Sequence, residues 1–230
     1  MFGLLLISAL LMLEQRRILW AAVITALLCA ARPTGILLLV PIAVDRMQHL
    51  WVGQHRSDRV ALLGETLLPI AIAPLGLSLY MLWQYDATGD GLAFSHVQIL
   101  WDRVWHGPLY YLIQGFAAWD WDLVLRPKEI FSQSYDAAWA VLGLAAACWL
   151  GWRRRFNEAW LLAGTVLLPL STQLHSLPRF VGTSPIFLFV VLDLVARIRR
   201  PELLAACFGA MGLYQGVMVV EWFIAANVTY

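Results

Sequence analysis

ILWAAVITALLCAARPTGILLLVPIAVD, residues 18–45, decides the fold class. Two apolar runs, 18–31 and 35–45, are split by Arg32-Pro33-Thr34, and arginines stand on both outer flanks at Arg16, Arg17 and Arg46. At about 1.5 Å per residue, the first run reaches only about 21 Å of a hydrocarbon core of about 30 Å. A hairpin of two short helices would therefore hold its RPTG turn below the outer membrane surface, in a depression lined by protein. One kinked helix from 18 to 44 competes with this reading, because Pro33 permits a kink. The hairpin is the more economical, since it brings both arginine flanks to one side.

The rest of the chain repeats this segregation of charge. Eleven of its sixteen basic residues fall at one set of segment ends, as Arg16/Arg17, Arg46/Arg56/Arg59, Arg153/Arg154/Arg155 and Arg197/Arg199/Arg200. The positive-inside rule puts these four groups in the cytoplasm. A hydrophobic fraction of 61 %, a mean hydropathy of +0.70 and 13 % charged residues lie far from soluble globular composition. The expected fold class is an all-α, polytopic bundle in the lipid bilayer. Its net charge of +1 is split by side rather than gathered into a basic footprint, which excludes nucleic acid as a partner.

Segments follow from these flanks. Residues 60–83 form a long span ending at the interfacial aromatics Trp83 and Tyr85, and further spans are expected at 136–152, 158–173, 181–196 and 202–224. Between them lies an outward loop, 84–134, with six carboxylates against three cations. Within it, 92–105 and 108–118 carry apolar residues at helical spacing and are expected as amphipathic helices on the membrane surface. A second outward turn, 174–180, is short. The opening run, 2–13, is too short to span and has no basic leader or cleavage site. The expectation is one transmembrane domain over 1–230, the C-terminal portion of a longer protein, with about seven segments, no repeat of fixed period and no linker. Cys29, Cys148 and Cys207 sit in apolar runs without metal or redox spacing and are expected to pack.

Function is sought at the outward cations. An arginine beside apolar helices costs about 2.5–3.5 kcal/mol on insertion scales, so Arg32 and Arg179 are expected to line a cavity and hold an anion. The same side collects His175, His96, Arg103 and several aspartates. Two guanidinium forks beside apolar walls suit a lipid-linked phosphate. The plainer readings are that Arg32 caps the last carbonyls of its helix, that Arg179 faces water, and that Asp90, in TGDG, is a turn residue. Neither His96 nor His175 has a metal-ligand spacing, so no metal site is assigned and divalent-metal dependence stays open.

Three stretches, AARPTGILLLVPIAV (30–44), GDGLAFSHVQILWDR (89–103) and SLPRFVGTSPIFLF (176–189), in that order, resemble bacterial mannosyltransferases of the PIG-V type. These belong to the GT-C superfamily of multi-span glycosyltransferases of the bacterial cytoplasmic membrane. The likeness runs from about residue 14 to 196 and implies a GT-C-like helical bundle. It implies transfer of a hexose, mannose foremost, from a polyprenyl-phosphate sugar to an extracytoplasmic glycan, lipid or protein acceptor. Arg32 and Arg179 would then contribute to the donor phosphate site, and Asp90, Phe94, His96, Gln98 and Trp101 to the loop that covers it. Gly91 stands where relatives commonly have proline. Relatives carry their essential acid on an outward loop upstream of residue 1, which leaves Asp90 and Asp102 as local substitutes for a base. No cofactor beyond the donor is implied. Two rivals are a non-catalytic scaffold of the same body and a small-molecule or lipid transporter. The transporter is disfavoured because Glu65, Asp193 and Glu221 lie near segment ends and no paired broken segments are legible.

Overall fold

The computed structural model describes residues 1–52, 59–101, 103–121, 133–174 and 177–228. Helix is the regular structure throughout the described residues, as an all-α fold requires. The chain divides into two compact units, Met1–Val104 and Trp105–Tyr230.

In the N-terminal unit, α1 (Phe2–Glu14) and α2 (Ile18–Ala31) pair antiparallel, so that the Arg32 guanidinium lies 5.3 Å from the centre of the Phe2 ring. Burial follows helical spacing: Leu6, Ala9 and Leu13 on α1 meet Ile18, Ala21, Ala22, Thr25, Leu28 and Cys29 on α2. Arg32 is extended (φ −153°, ψ 132°), as the residue before a proline tends to be, and α2 stops there. A 3-10 turn (Pro33–Leu38) then leads into α3 (Leu39–Val52). Asp45 of α3 pairs with Arg16, which lies before α2, so the chain has turned back and the single kinked helix is ruled out. The returning arm differs from expectation in being a 3-10 turn first and a helix only from Leu39.

The expected span 60–83 is broken. α4 (Arg59–Ile72) and α5 (Leu75–Thr88) meet at a bend of 43°, next to Pro74 and with Pro69 inside α4. Each proline removes a ladder N–H, which makes this the weakest place in the segment. α5 then crosses α2 at Gly76, where an added Cβ would stand 1.7 Å from the Ala26 carbonyl oxygen. Midway along α4, Glu65 lies 3.3 Å from His49 Nε2 of α3. The expected amphipathic helix 92–105 shrinks to α6 (Ala93–His96) and a 3-10 turn (Val97–Trp101).

The C-terminal unit holds α7 (Pro108–Ala117), α8 (Gln133–Trp152), α9 (Phe156–Leu170), α10 (Leu177–Gly182), α11 (Pro185–Val195) and α12 (Pro201–Val228). Its core gathers Ala137, Ala140, Val166, Leu170, Leu174, Leu177 and Val181. Ser134, buried at the start of α8, accepts the Asp120 N–H (3.0 Å) and donates to the Ala118 carbonyl (2.8 Å), which ties α7 to α8. The expected outward turn 174–180 is itself helical from Leu177, and the expected span 181–196 breaks at Thr183-Ser184, before Pro185. At the other end, Trp149 has the Arg153 and Arg197 guanidinium carbons each 5.5 Å from its ring centre, so both arginine groups of this unit share one end.

The two units repeat one local design. In the α1–α2 turn, Arg17 N–H bonds Met12 O (2.8 Å) and Arg16 N–H bonds Leu13 O (3.1 Å), with Arg16 left-handed at φ 58°. In the α8–α9 turn, Arg155 N–H bonds Leu150 O and Arg154 N–H bonds Gly151 O, both at 2.9 Å, with Arg154 at φ 60°. Both are Schellman closures, in which glycine is the usual left-handed residue. Each hairpin is followed by a short helical turn bearing Arg-x-x-Gly, Arg32 to Gly35 and Arg179 to Gly182, and then by a returning helix with an aspartate–arginine pair, Asp45–Arg46 or Asp193–Arg197.

Among the described residues no single helix is long and apolar enough to cross a membrane, and only the bent α4–α5 pair reaches that length and composition together. The crossing at Gly76 gives a direct check on the N-terminal unit. Gly76→Leu is expected to destabilise by about 1–3 kcal/mol or more, because backbone rather than a movable side chain fills the space. Gly64→Leu, with open space at its Cβ, is expected to be silent in the same thermal melts. Equal melting of the two variants would refute the crossing.

Candidate functional site

The polar loop after α5 belongs to the N-terminal unit, as Arg32 does. α5 closes at Gly89 in the left-handed conformation (φ 77°), and its N–H returns to the Tyr85 carbonyl (2.8 Å). Asp90 follows and uses both carboxylate oxygens. Oδ1 accepts the Leu92 N–H (2.9 Å), and Oδ2 lies 2.6 Å from His96 Nδ1. A carboxylate only accepts, so Nδ1 carries the proton and Nε2 of the neutral ring is left with its lone pair. That ring is 62 % exposed and Asp90 42 %.

The rest of the loop is tied to the same turn. Gln84 Oε1 accepts the Phe94 N–H (3.3 Å), and Phe94 rests against Tyr80, their ring centres 5.8 Å apart. Gln98 donates to the Phe94 carbonyl (3.1 Å) and accepts from Arg103 Nη1 (2.6 Å). Asp90, His96, Gln98 and Arg103, four candidates from the sequence, thus form one hydrogen-bonded loop. Phe94 orders it from below. The hydrogen bond from His96, and next the Leu92 N–H, hold the Asp90 carboxyl below its ordinary value of 3.8.

Arg32 is exposed, and among the described residues its side chain has no carboxylate partner; its guanidinium sits over Phe2 rather than on the carbonyls of α2. The helix-capping reading of Arg32 therefore finds no hydrogen bond to carry it. Arg179 belongs to the C-terminal unit. It lies on the exposed side of α10, 5.6 Å from the Phe180 ring centre, while Leu177 and Val181 on the other side enter the core. Asp102 and His175 lie outside the described residues. No group of three or more metal-ligating side chains occurs among the described residues.

Two features went unread in the sequence. His106 packs at a tilt against Tyr110, ring centres 4.6 Å apart, with Tyr111 at 5.8 Å, and its backbone N–H bonds the Ser171 carbonyl (3.1 Å), fixing the entry to α7. The other is a cavity at the arginine end of the N-terminal unit, bordered by Arg16, Arg17, Asp45, Arg46, His49 and Glu65. Residues separated by up to about fifty positions build it, so no local motif announces it. Comparison with protein families, with characterised proteins and with solved structures finds no match to this chain.

The Asp90–His96 bond is open to direct titration. Because the folded value of Asp90 is depressed, its contribution to loop order is complete above the ordinary carboxylate value and is lost as pH falls through the lowered one. In NMR of protein with 13C-labelled aspartate, the Asp90 carboxyl signal is expected to titrate below free aspartate and to move up in His96→Ala. Identical titration in the two proteins would remove the pairing.

Proposed function

We propose that the chain is part of a membrane glycosyltransferase of GT-C type, which moves a hexose from a polyprenyl-phosphate sugar to an extracytoplasmic acceptor. The observation that carries the reading is the Asp90–His96 pair, in the unit that also bears Arg32.

Membrane residence is supported by what the helices leave uncovered. Leu4 and Leu11 on α1, Leu19, Trp20 and Leu27 on α2, Leu79, Leu82 and Trp83 on α5, and Leu188, Phe189 and Leu192 on α11 are all exposed. Within each unit, apolar side chains this large are seldom left open to water in such number by a soluble monomer. Contacts through Ala21, Ala22, Ala26 and Gly76 are of the small-residue kind that holds helices together when lipid replaces water. The 13 residues of α1 and the 14 of α2 reach about 20 Å each, which would set the Arg32 turn beneath the outer headgroups of a bilayer of about 30 Å.

The chemistry follows from the loop. The acceptor hydroxyl gives its proton to His96 Nε2 as its oxygen bonds to the sugar C1, while Asp90 holds the ring tautomer and stabilises the imidazolium. The bond from C1 to the phosphate oxygen breaks, and polyprenyl phosphate leaves with the electron pair. Arg32 meets the charge that grows on that phosphate.

A second reading, lipid transport, gains from the broken segments, α4–α5 in one unit and α10–α11 in the other, because broken helices recur in the two halves of many transporters. One assay separates the two. Membranes containing the protein are given polyprenyl-phosphate mannose labelled in the sugar. His96→Gln is expected to lower transfer by about 10²–10⁴-fold and Arg32→Gln by about 10²-fold. Unchanged transfer in both variants would dismiss the site, and movement of donor across the bilayer without transfer would favour the transporter.

A further inference from the structure

The cavity at the arginine end of the N-terminal unit, about 960 Å³, is apart from the proposed transfer site. One wall is polar: Arg16, Arg17, Asp45, Arg46, Gln48, His49 and Glu65. The other is apolar, and its Leu19, Trp20 and Leu68 are exposed, at 46 %, 61 % and 52 %. Three arginines face two carboxylates, which leaves one positive charge in excess. Asp45 is already engaged, Oδ1 by Arg16 and Oδ2 by the Arg46 Nε (3.1 Å) and Nη2 (2.5 Å), so it orients the guanidinium groups rather than repelling an anion. Each guanidinium has five N–H donors, and most of those on Arg16 and Arg46 are unused by Asp45. Arg17 has no side-chain partner among the described residues. Arg16 is held at φ 58°, a conformation glycine would adopt more readily, and from that turn it reaches Asp45.

We infer that this cavity holds the headgroup of an anionic phospholipid, with its phosphate among Arg16, Arg17 and Arg46 and its acyl chains against Leu19, Trp20 and Leu68. The guanidinium forks match phosphate oxygens, and the exposed apolar wall suits a tail that a soluble phosphate lacks. An excess positive charge favours a net anionic headgroup over a zwitterionic one. The inference rests on membrane residence but not on sugar transfer.

The test is lipid binding by the purified full chain in neutral detergent, read by native mass spectrometry, with phosphatidylglycerol and phosphatidylcholine as probes and glycerol 3-phosphate as soluble competitor. Phosphatidylglycerol is expected to bind at least about tenfold more tightly than phosphatidylcholine, and Arg17→Gln to weaken it about tenfold, the scale of a charge-assisted hydrogen bond. Arg197→Gln, at the arginine end of the other unit, is expected to leave it unchanged. Equal binding of the two lipids, equal loss in both variants, or full displacement by glycerol 3-phosphate would overturn the inference. Carbonate extraction of the same membranes is run alongside. A chain that stays in the membrane yet fails the lipid test overturns this site alone, whereas a chain released by carbonate overturns membrane residence with it.

Discussion

A guanidinium is costly to hold in hydrocarbon, about 2.5–3.5 kcal/mol even on lenient scales, so an apolar chain must turn wherever its arginines fall. This chain does so. Arg16 and Arg154 occupy left-handed positions in Schellman turns where glycine would be less strained, and the helices on either side run back antiparallel. Arg153 and Arg197 converge on Trp149, and Arg16 and Arg46 on Asp45, so in each unit cations distant in sequence share one end. Arg32 stands apart from them, at the far end of α2 from Arg16 and Arg17. The unit thus holds two chemically distinct features, a cavity lined by arginines and an imidazole–carboxylate loop.

The hairpin at 18–45 was legible because arginine flanks and an Arg-Pro turn act locally, through the cost of burial and the extended backbone before a proline. The helices 108–117 and 133–152 were legible to within a few residues from apolar spacing. Breaks were harder. Pro69 and Pro74 stand in an otherwise continuous apolar run, and periodicity does not tell which proline is absorbed inside α4 and which ends it. Between 92 and 105 the spacing suggested one amphipathic helix, but Asp90 and Gln84 draw the backbone N–H groups of Leu92 and Phe94 into a turn instead. The repeat escaped notice because its period varies: fifteen residues separate Arg17 from Arg32, and twenty-four separate Arg155 from Arg179.

The candidate site was half legible. His96, Gln98, Asp90 and Arg103 were named one by one, yet nothing in GDGLAFSHVQILWDR says that the aspartate reaches six residues on to fix the histidine tautomer. That link changes their roles. Asp90, first weighed as a base in its own right, becomes the positioning partner of His96 within the proposed mechanism, since both its oxygens are engaged in the turn. The arginine-end cavity was wholly illegible, being assembled from helices α2, α3 and α4 and the turn before α2.

Orientation in a bilayer is the claim on which both proposed sites stand. It is measured with single cysteines at Gln15, beside the arginine turn, and at Ala87, beside the Asp90 loop, in a chain freed of Cys29, Cys148 and Cys207. A membrane-impermeant maleimide applied to intact cells is predicted to label the cysteine at 87, and to label the one at 15 only after the membrane is opened. Labelling of both positions in intact cells, or of 15 alone, would contradict the account.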